Sequence, residues 1–244
     1  MQDRYVGDIG DFVKLALLRH LSDGRKLGVA WYLYPDEGHN ADGKHTRYLN
    51  DAARWRHLDP ELFDALALVV ANGRSVRALE KTGTINGHFS GELLTTSSMP
   101  WHSRASLRMD WFDRVLTDLR DAEIVFADPD NGFVDDSPRR RGKKAFGKQI
   151  PISEAMSLAD GRTAIIYHHN TRRAGGHDAE VDHWISQLGE RTIALRATAY
   201  SCRTFFILNA DHDLRDQAVS FCDRWANHGV RLHVSSKIDR RLGY

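Results

Sequence analysis

Residues 123–133 read Glu123-Ile124-Val125-Phe126-Ala127-Asp128-Pro129-Asp130-Asn131-Gly132-Phe133. An apolar run without polar alternation, closed by an acidic turn, describes a strand buried on both faces. That is the habit of a parallel sheet covered by helices. The signature recurs on either side. Residues 27–33 (Leu-Gly-Val-Ala-Trp-Tyr-Leu) run into Pro35-Asp36-Glu37-Gly38-His39-Asn40, and residues 163–167 run into His168-His169-Asn170. Helical spacing of apolar residues fills the gaps at 12–21, 107–120, 179–188 and 214–227. Asp59-Pro60 starts a helix that runs to about residue 71, and residues 152–158 form another, capped by Ser153 or its neighbour. Residues 192–197, 203–208 and 230–234 read as further strands. Residues 75–81 suit a short helix or a strand, and residues 82–106 carry no clear pattern. Strands alternating with helices predict one α/β domain over residues 1–244. Its sheet is doubly wound and mostly parallel, with an insertion around 82–106.

Composition narrows the function. The chain has 244 residues, 41% of them hydrophobic and 27% charged, which suits a folded domain with one sizeable core. A formal net charge of +1 gives no global field for a polyanion, so any basic surface comes from local clustering. Two cysteines, Cys202 and Cys222, exclude a disulfide framework or a cysteine-rich zinc site. No apolar run approaches the ~18 residues of a spanning helix and no leader pattern opens the chain, so a cytoplasmic protein is expected.

Ligands of open α/β sheets bind outside the carboxyl ends of the strands, and three such ends are polar here. In the first, Asp128 and Asp130 flank a proline, Asn131 adds an amide, and Gly132 allows a positive φ or a close backbone approach. This loop suits the grip of an exocyclic amino group. It could instead hold a divalent metal with oxygen ligands, or be a plain turn, and its position after a buried strand favours function over the turn. In the second, neighbouring histidines point to opposite sides, so one of them at most faces the same ligand as Asp128, and His168 is the candidate. The third, residues 35–43, holds Asp36, Glu37, His39 and Asn40. It lacks the glycine pattern of a dinucleotide site, although an acidic residue there suits ribose hydroxyls. The run Arg139-Arg140-Arg141-Gly142-Lys143-Lys144 places a local positive patch just after the acidic loop. It fits phosphate backbones or a solvated segment. No nucleophile elbow or phosphate loop is present. Before the first helix, two Gly-Asp pairs carry more aspartate than a cap needs.

At these residues the chain resembles a family. Gly7-Asp8-Ile9-Gly10-Asp11-Phe12-Val13-Lys14 is similar to the Gly-Asn-x-Ala-Asp-x-x-Lys opening of the 23S rRNA adenine-N6 methyltransferases, which have a class I, Rossmann-like fold. In that family a strand with a cofactor loop follows, and later an Asp-Pro-Pro-Tyr motif. The order here is the same. The resemblance implies that Lys14, Asp36, Glu37, His39 and Asn40 lie near S-adenosylmethionine, and that Asp128 accepts a hydrogen bond from the target amino group. Asp130 and Asn131 replace the second proline and the aromatic residue, so Phe133 would supply the base-stacking ring. Tyr34-Pro35-Asp36-Glu37-Gly38-His39-Asn40 replaces the family's glycine-rich loop. A group of bacterial proteins with a Gly-Asp-Ile-Gly-Asp-Phe opening and Asp-Pro-Asp-Asn-Gly is also similar, a likeness that assigns no activity.

The expectation is a methyltransferase-like protein that uses S-adenosylmethionine on a nucleic-acid base. Asp128, Asp130, Asn131 and His168 are the catalytic candidates, and Phe133, Arg139, Arg140, Arg141, Lys143 and Lys144 hold the substrate. Two alternatives keep the fold. In one, Mg²⁺ or Mn²⁺ on Asp128, Asp130 and Asp36 serves a nuclease or a nucleotide-donor transferase. In the other, the domain has lost its cofactor and only binds.

Overall fold

The structure is a computed structural model that describes residues 1–36, 43–199 and 201–235. In chain order the regular elements are α1 (Ile9–Leu21), β1 (Leu27–Ala30), α2 (Ala52–Trp55), α3 (Pro60–Asn72), α4 (Val76–Lys81), β2 (Gly87–Ser90), α5 (Arg104–Asp118), β3 (Ile124–Ala127), β4 (Gly132–Val134), α6 (Pro138–Arg141), β5 (Gln149–Pro151), α7 (Ile152–Leu158), β6 (Thr163–His169), α8 (Gly176–Leu188), β7 (Ile193–Ala197), β8 (Arg203–Leu208), α9 (His212–Trp225) and β9 (Val230–Leu232). Among the described residues, seven strands form the main sheet in the order β2-β1-β3-β6-β8-β7-β9. β2, β1, β3 and β6 are parallel to one another, whereas β8 pairs antiparallel with both β6 and β7, and β9 pairs antiparallel with β7. The mostly parallel, Rossmann-like α/β sheet expected from the pattern is therefore present.

Burial on both faces explains the apolar runs. Val29, Ile124, Phe126, Ile165, Phe205 and Ile207 face a core built with α1, α3 and α9. Their neighbours Ala30, Val125, Ala127, Ile166, Phe206 and Leu208 face a second core built with α5, α7 and α8. Successive strand residues serve opposite layers, so no polar position interrupts the run. Phe12 packs into the first core, with ring centroids 5.5 Å from Tyr48 and 5.2 Å from Trp225.

Several expectations change in detail. The first helix starts earlier, at Ile9, because Asp8 caps it by accepting from the amides of Gly10 and Asp11. The first strand ends at Ala30 rather than residue 33, because Tyr32 takes a positive φ of 48°. That conformation is held by a hydrogen bond of 2.9 Å from the Tyr32 hydroxyl to Glu154 and by an edge contact with Trp111. Residues 75–81 resolve as helix α4, capped by Ser75. The unpatterned segment 82–106 contains the edge strand β2, whose four residues are too few and too exposed to signal a strand. Ser153 does not cap α7. Its amide and hydroxyl bond Asp136 instead, at 2.9 and 2.7 Å. Cys202 and Cys222 are free thiols. No described helix is long and apolar enough to cross a membrane.

One buried ion pair fixes the segment after β4. The Arg108 guanidinium grips Glu154 at 2.6 and 2.9 Å and donates to the carbonyls of Phe146 and Gln149 at 2.7 and 2.6 Å. Arg108→Met leaves the Glu154 carboxylate buried without its cation and frees two carbonyls. Urea denaturation is expected to show a loss of about 3–5 kcal/mol; a loss below about 1 kcal/mol contradicts this role.

Candidate functional site

Strand order reverses between β1 and β3, and the register sets their ends level. Ala30 lies beside Ala127, and Ala127 beside Ile166. Such a switch point is where open α/β sheets bind ligands. Beside it, over the ends of β3 and β6, opens a cleft of ≈ 190 Å³, and Asp8, Asp11 and Lys14 from α1 and its cap line it together with Asp128, Asp130, Asn131, Tyr167 and Arg203.

The start of α1 meets the end of β3 through charge. Lys14 Nζ lies 2.6 Å from Asp11 Oδ1 and 2.6 Å from Asp128 Oδ2, with all three side chains 4–5% exposed. Burial alone disfavours the Lys14 ammonium, but Asp11 and Asp128 outweigh it and raise its pKa above the ordinary value. Burial raises the pKa of Asp128 and of Asp11, and Lys14 acts against that rise in both. Asp11 also accepts from the Gly7 amide at 2.9 Å. The aspartate excess before the first helix thus divides into one cap, Asp8, and one ion-pair partner, Asp11.

Asp128 is accordingly not a free acceptor. Its carboxylate is taken by Lys14, and the expected direct grip on a target amino group does not fit this geometry. Asp130 sits beside the first two residues: its Oδ1 is 2.8 Å from the Met1 amino nitrogen, and its Oδ2 accepts from Gln2 at 2.6 Å. The Met1 nitrogen also donates to the carbonyls of Tyr32, at 3.0 Å, and Asp128, at 2.8 Å. Met1 and Gln2, both buried, therefore fill the crevice between the ends of β1 and β3. Asn131 is exposed on the cleft rim, and its amide donates to the Lys148 carbonyl at 2.9 Å.

His168 and Phe133 belong to the interior, which corrects both assignments. His168 is fully buried. Its Nδ1 accepts from the Phe133 amide at 3.0 Å, and its Nε2 faces Glu180 at 3.2 Å. The accepting Nδ1 places the ring proton on Nε2, so the imidazole is spent on structure. Gly132 has the positive φ its type suggested, 75°, and a Cβ there would lie 2.2 Å from His168 Nδ1. The Phe133 ring packs on Trp184 and Phe206, with centroids 5.3 and 5.1 Å away, and cannot stack on a base. The strand alternation turns His169, not His168, to the cleft.

Sequence reasoning passed over Tyr167 and Arg203. Both lie in strands, where an isolated polar residue gives no motif. Tyr167 lines the cleft, and burial pushes its hydroxyl up to about 12. Arg203 is 5% exposed, and its guanidinium lies against Gly10 of α1. One nitrogen donates to Ser201, while Nε and Nη1 meet no hydrogen-bond partner among the described residues. A buried cation with unused donors in a cleft wall is a signal for an anionic group.

The other expected residues are scattered. Asp36 is exposed, and Glu37, His39 and Asn40 lie outside the described residues. Arg139, Arg140, Arg141, Lys143 and Lys144 are exposed on α6 and the segment after it. That segment reaches the cleft rim at Lys148, whose carbonyl accepts from the backbone amide of Asn131 at 2.9 Å. No three His, Cys, Asp or Glu among the described residues are placed to share a metal ion. Asp128 and Asp130 each already face a nitrogen cation, so the metal reading gains no support from them.

No family model matches the chain, and no curated protein is similar to it. Among solved structures it is similar to the crystal structure of protein LPL1258 from Legionella pneumophila str. Philadelphia 1, described by the family model DUF519. The TM-score is 0.49 with 10% identity, over 95% of this chain and 98% of that one.

Glu180 supplies a pH test of the interior. Burial opposes its charge, but hydrogen bonds from His168 and Thr171 outweigh burial and bring its pKa from 4.5 down to about 2. A depressed carboxylate pKa contributes stability that is present above 4.5 and lost as pH falls towards 2. Stability measured by denaturant between pH 5 and 2 should fall, and Glu180→Gln should flatten that slope. An unchanged slope in the variant contradicts the assignment.

Proposed function

We propose that the cleft binds S-adenosylmethionine and that the protein methylates an amino group of a nucleic-acid base. The observation that carries this reading is Arg203, buried in the cleft wall with two donors unpaired among the described residues, in a lining that also holds Asp8 and Asp130. A guanidinium and carboxylates lining one cleft suit a zwitterion, and the methionine end of S-adenosylmethionine is one. The cleft volume of ≈ 190 Å³ is below the ~300–1,000 Å³ usual for whole ligands. It fits the amino-acid end, and the nucleoside end would take the crevice that Met1 and Gln2 fill. When bound, S-adenosylmethionine supplies an electrophilic methyl group. Arg203 holds the carboxylate, and the Lys14–Asp128 pair keeps the β3 end rigid. The Asn131 amide oxygen, at the rim, accepts from the target amino group.

A second reading has its own support. Met1 and Gln2 seal the crevice as a ligand would, which suits a domain of this fold that binds without a cofactor. Calorimetric titration separates the two. The enzyme reading predicts saturable heat with S-adenosylmethionine, and at least tenfold weaker binding in Arg203→Leu, since a charge-assisted hydrogen bond contributes ~1.5–3 kcal/mol. No heat at millimolar ligand contradicts it and leaves the binding reading standing.

A further inference from the structure

We propose that Trp101 and the basic segment 139–144 form a docking platform for single-stranded nucleic acid. The inference rests on the nucleic-acid reading above and adds to it the surface that receives the strand. Trp101 is 66% exposed, large for an indole on a chain that buries Trp31, Trp55 and Trp225 fully. It is nevertheless held in place. A Cβ on Gly142 would lie 2.3 Å from the Trp101 ring nitrogen, so the ring rests directly on the glycine in the middle of the basic run. Arg104 pins the two segments together, donating to the Gly142 carbonyl at 2.7 Å and to the Met99 carbonyl at 2.9 Å.

Arg139, Arg140, Arg141, Lys143 and Lys144 flank the glycine beneath this ring in the sequence, all exposed, on a protein with a formal net charge of only +1. A fixed indole face amid cations is the arrangement that stacks an unpaired base and follows its backbone. A duplex hides its base faces, so the partner is a single strand. The platform also leads to the cleft. Its far end, at Lys148, accepts from the Asn131 amide at 2.9 Å, and the whole segment is tied underneath by Arg108. A strand seated on Trp101 would therefore carry a neighbouring nucleotide towards Asn131.

The test is fluorescence anisotropy of labelled single-stranded RNA and DNA with the full chain, run beside the S-adenosylmethionine titration. Trp101→Ala should weaken binding about tenfold, the scale of one lost base stack, while Trp101→Phe retains most of it. Gly142→Ala, which displaces the ring, should weaken binding in the same direction. Arg140→Ala and Lys143→Ala should each reduce the log–log salt slope by roughly 0.7. Unaltered S-adenosylmethionine binding and an unchanged thermal midpoint should accompany these losses. Single-strand binding that is indifferent to Trp101→Ala overturns the platform and leaves the proposed function intact. Equal affinity for duplex or for a poly-glutamate peptide overturns it as well, since charge alone would then explain binding. Failure of the unaltered protein to bind any nucleic acid overturns both.

Discussion

The Lys14 ammonium, buried between Asp11 and Asp128, is the contact on which the site depends. It joins the first helix to the end of the central strand across more than a hundred residues of sequence. Removing Lys14 would leave two carboxylates in the interior without their cation, typically a loss of ~3–5 kcal/mol. That cost makes the geometry of the strand end rigid. It also decides what Asp128 can do: a carboxylate already satisfied by a buried cation positions its neighbours rather than contacting a substrate. Under the proposed function the chemistry of the cleft falls to the groups around it, Arg203, Tyr167, Asp130 and Asn131.

Alternation along the strands distributes the roles. At the end of β6, Tyr167 and His169 face the cleft, whereas His168 points into the second core and ties β4 to α8 through the Phe133 amide and Glu180. The same alternation carries Phe133 inwards. The strand ends therefore have a working face and a structural face, and the two are linked. His168 and Gly132 are in contact behind the loop that presents Asp130 and Asn131 in front.

The fold was legible because burial on both sheet faces leaves a strong trace. The apolar runs at 27–33, 123–127 and 163–167 each located a strand, the first of them three residues too long, and Asp59-Pro60 marked the start of its helix to the residue. β2 and β4 escaped because three or four residues carry no period. The site was legible in address more than in roles. Lys14, Asp128, Asp130 and Asn131 do converge at the switch point. The directions of His168 and Phe133 were not readable, because a shift of one residue along a strand exchanges cleft for core. Arg203 was invisible for a different reason: its meaning lies in two donors left unpaired among the described residues, which only three-dimensional packing reveals. Trp101 and Gly142 meet across 41 residues of sequence for the same reason.

The central claim is that the opening between α1 and the ends of β3 and β6 is a cofactor site closed by Met1. A crystal structure of the protein grown with S-adenosylmethionine tests it most directly. The account predicts density for the ligand with its carboxylate on Arg203 and its nucleoside in the crevice between the ends of β1 and β3, with Met1 displaced. Ligand bound elsewhere, or an unliganded crevice with Met1 still between Tyr32 and Asp128, would contradict it.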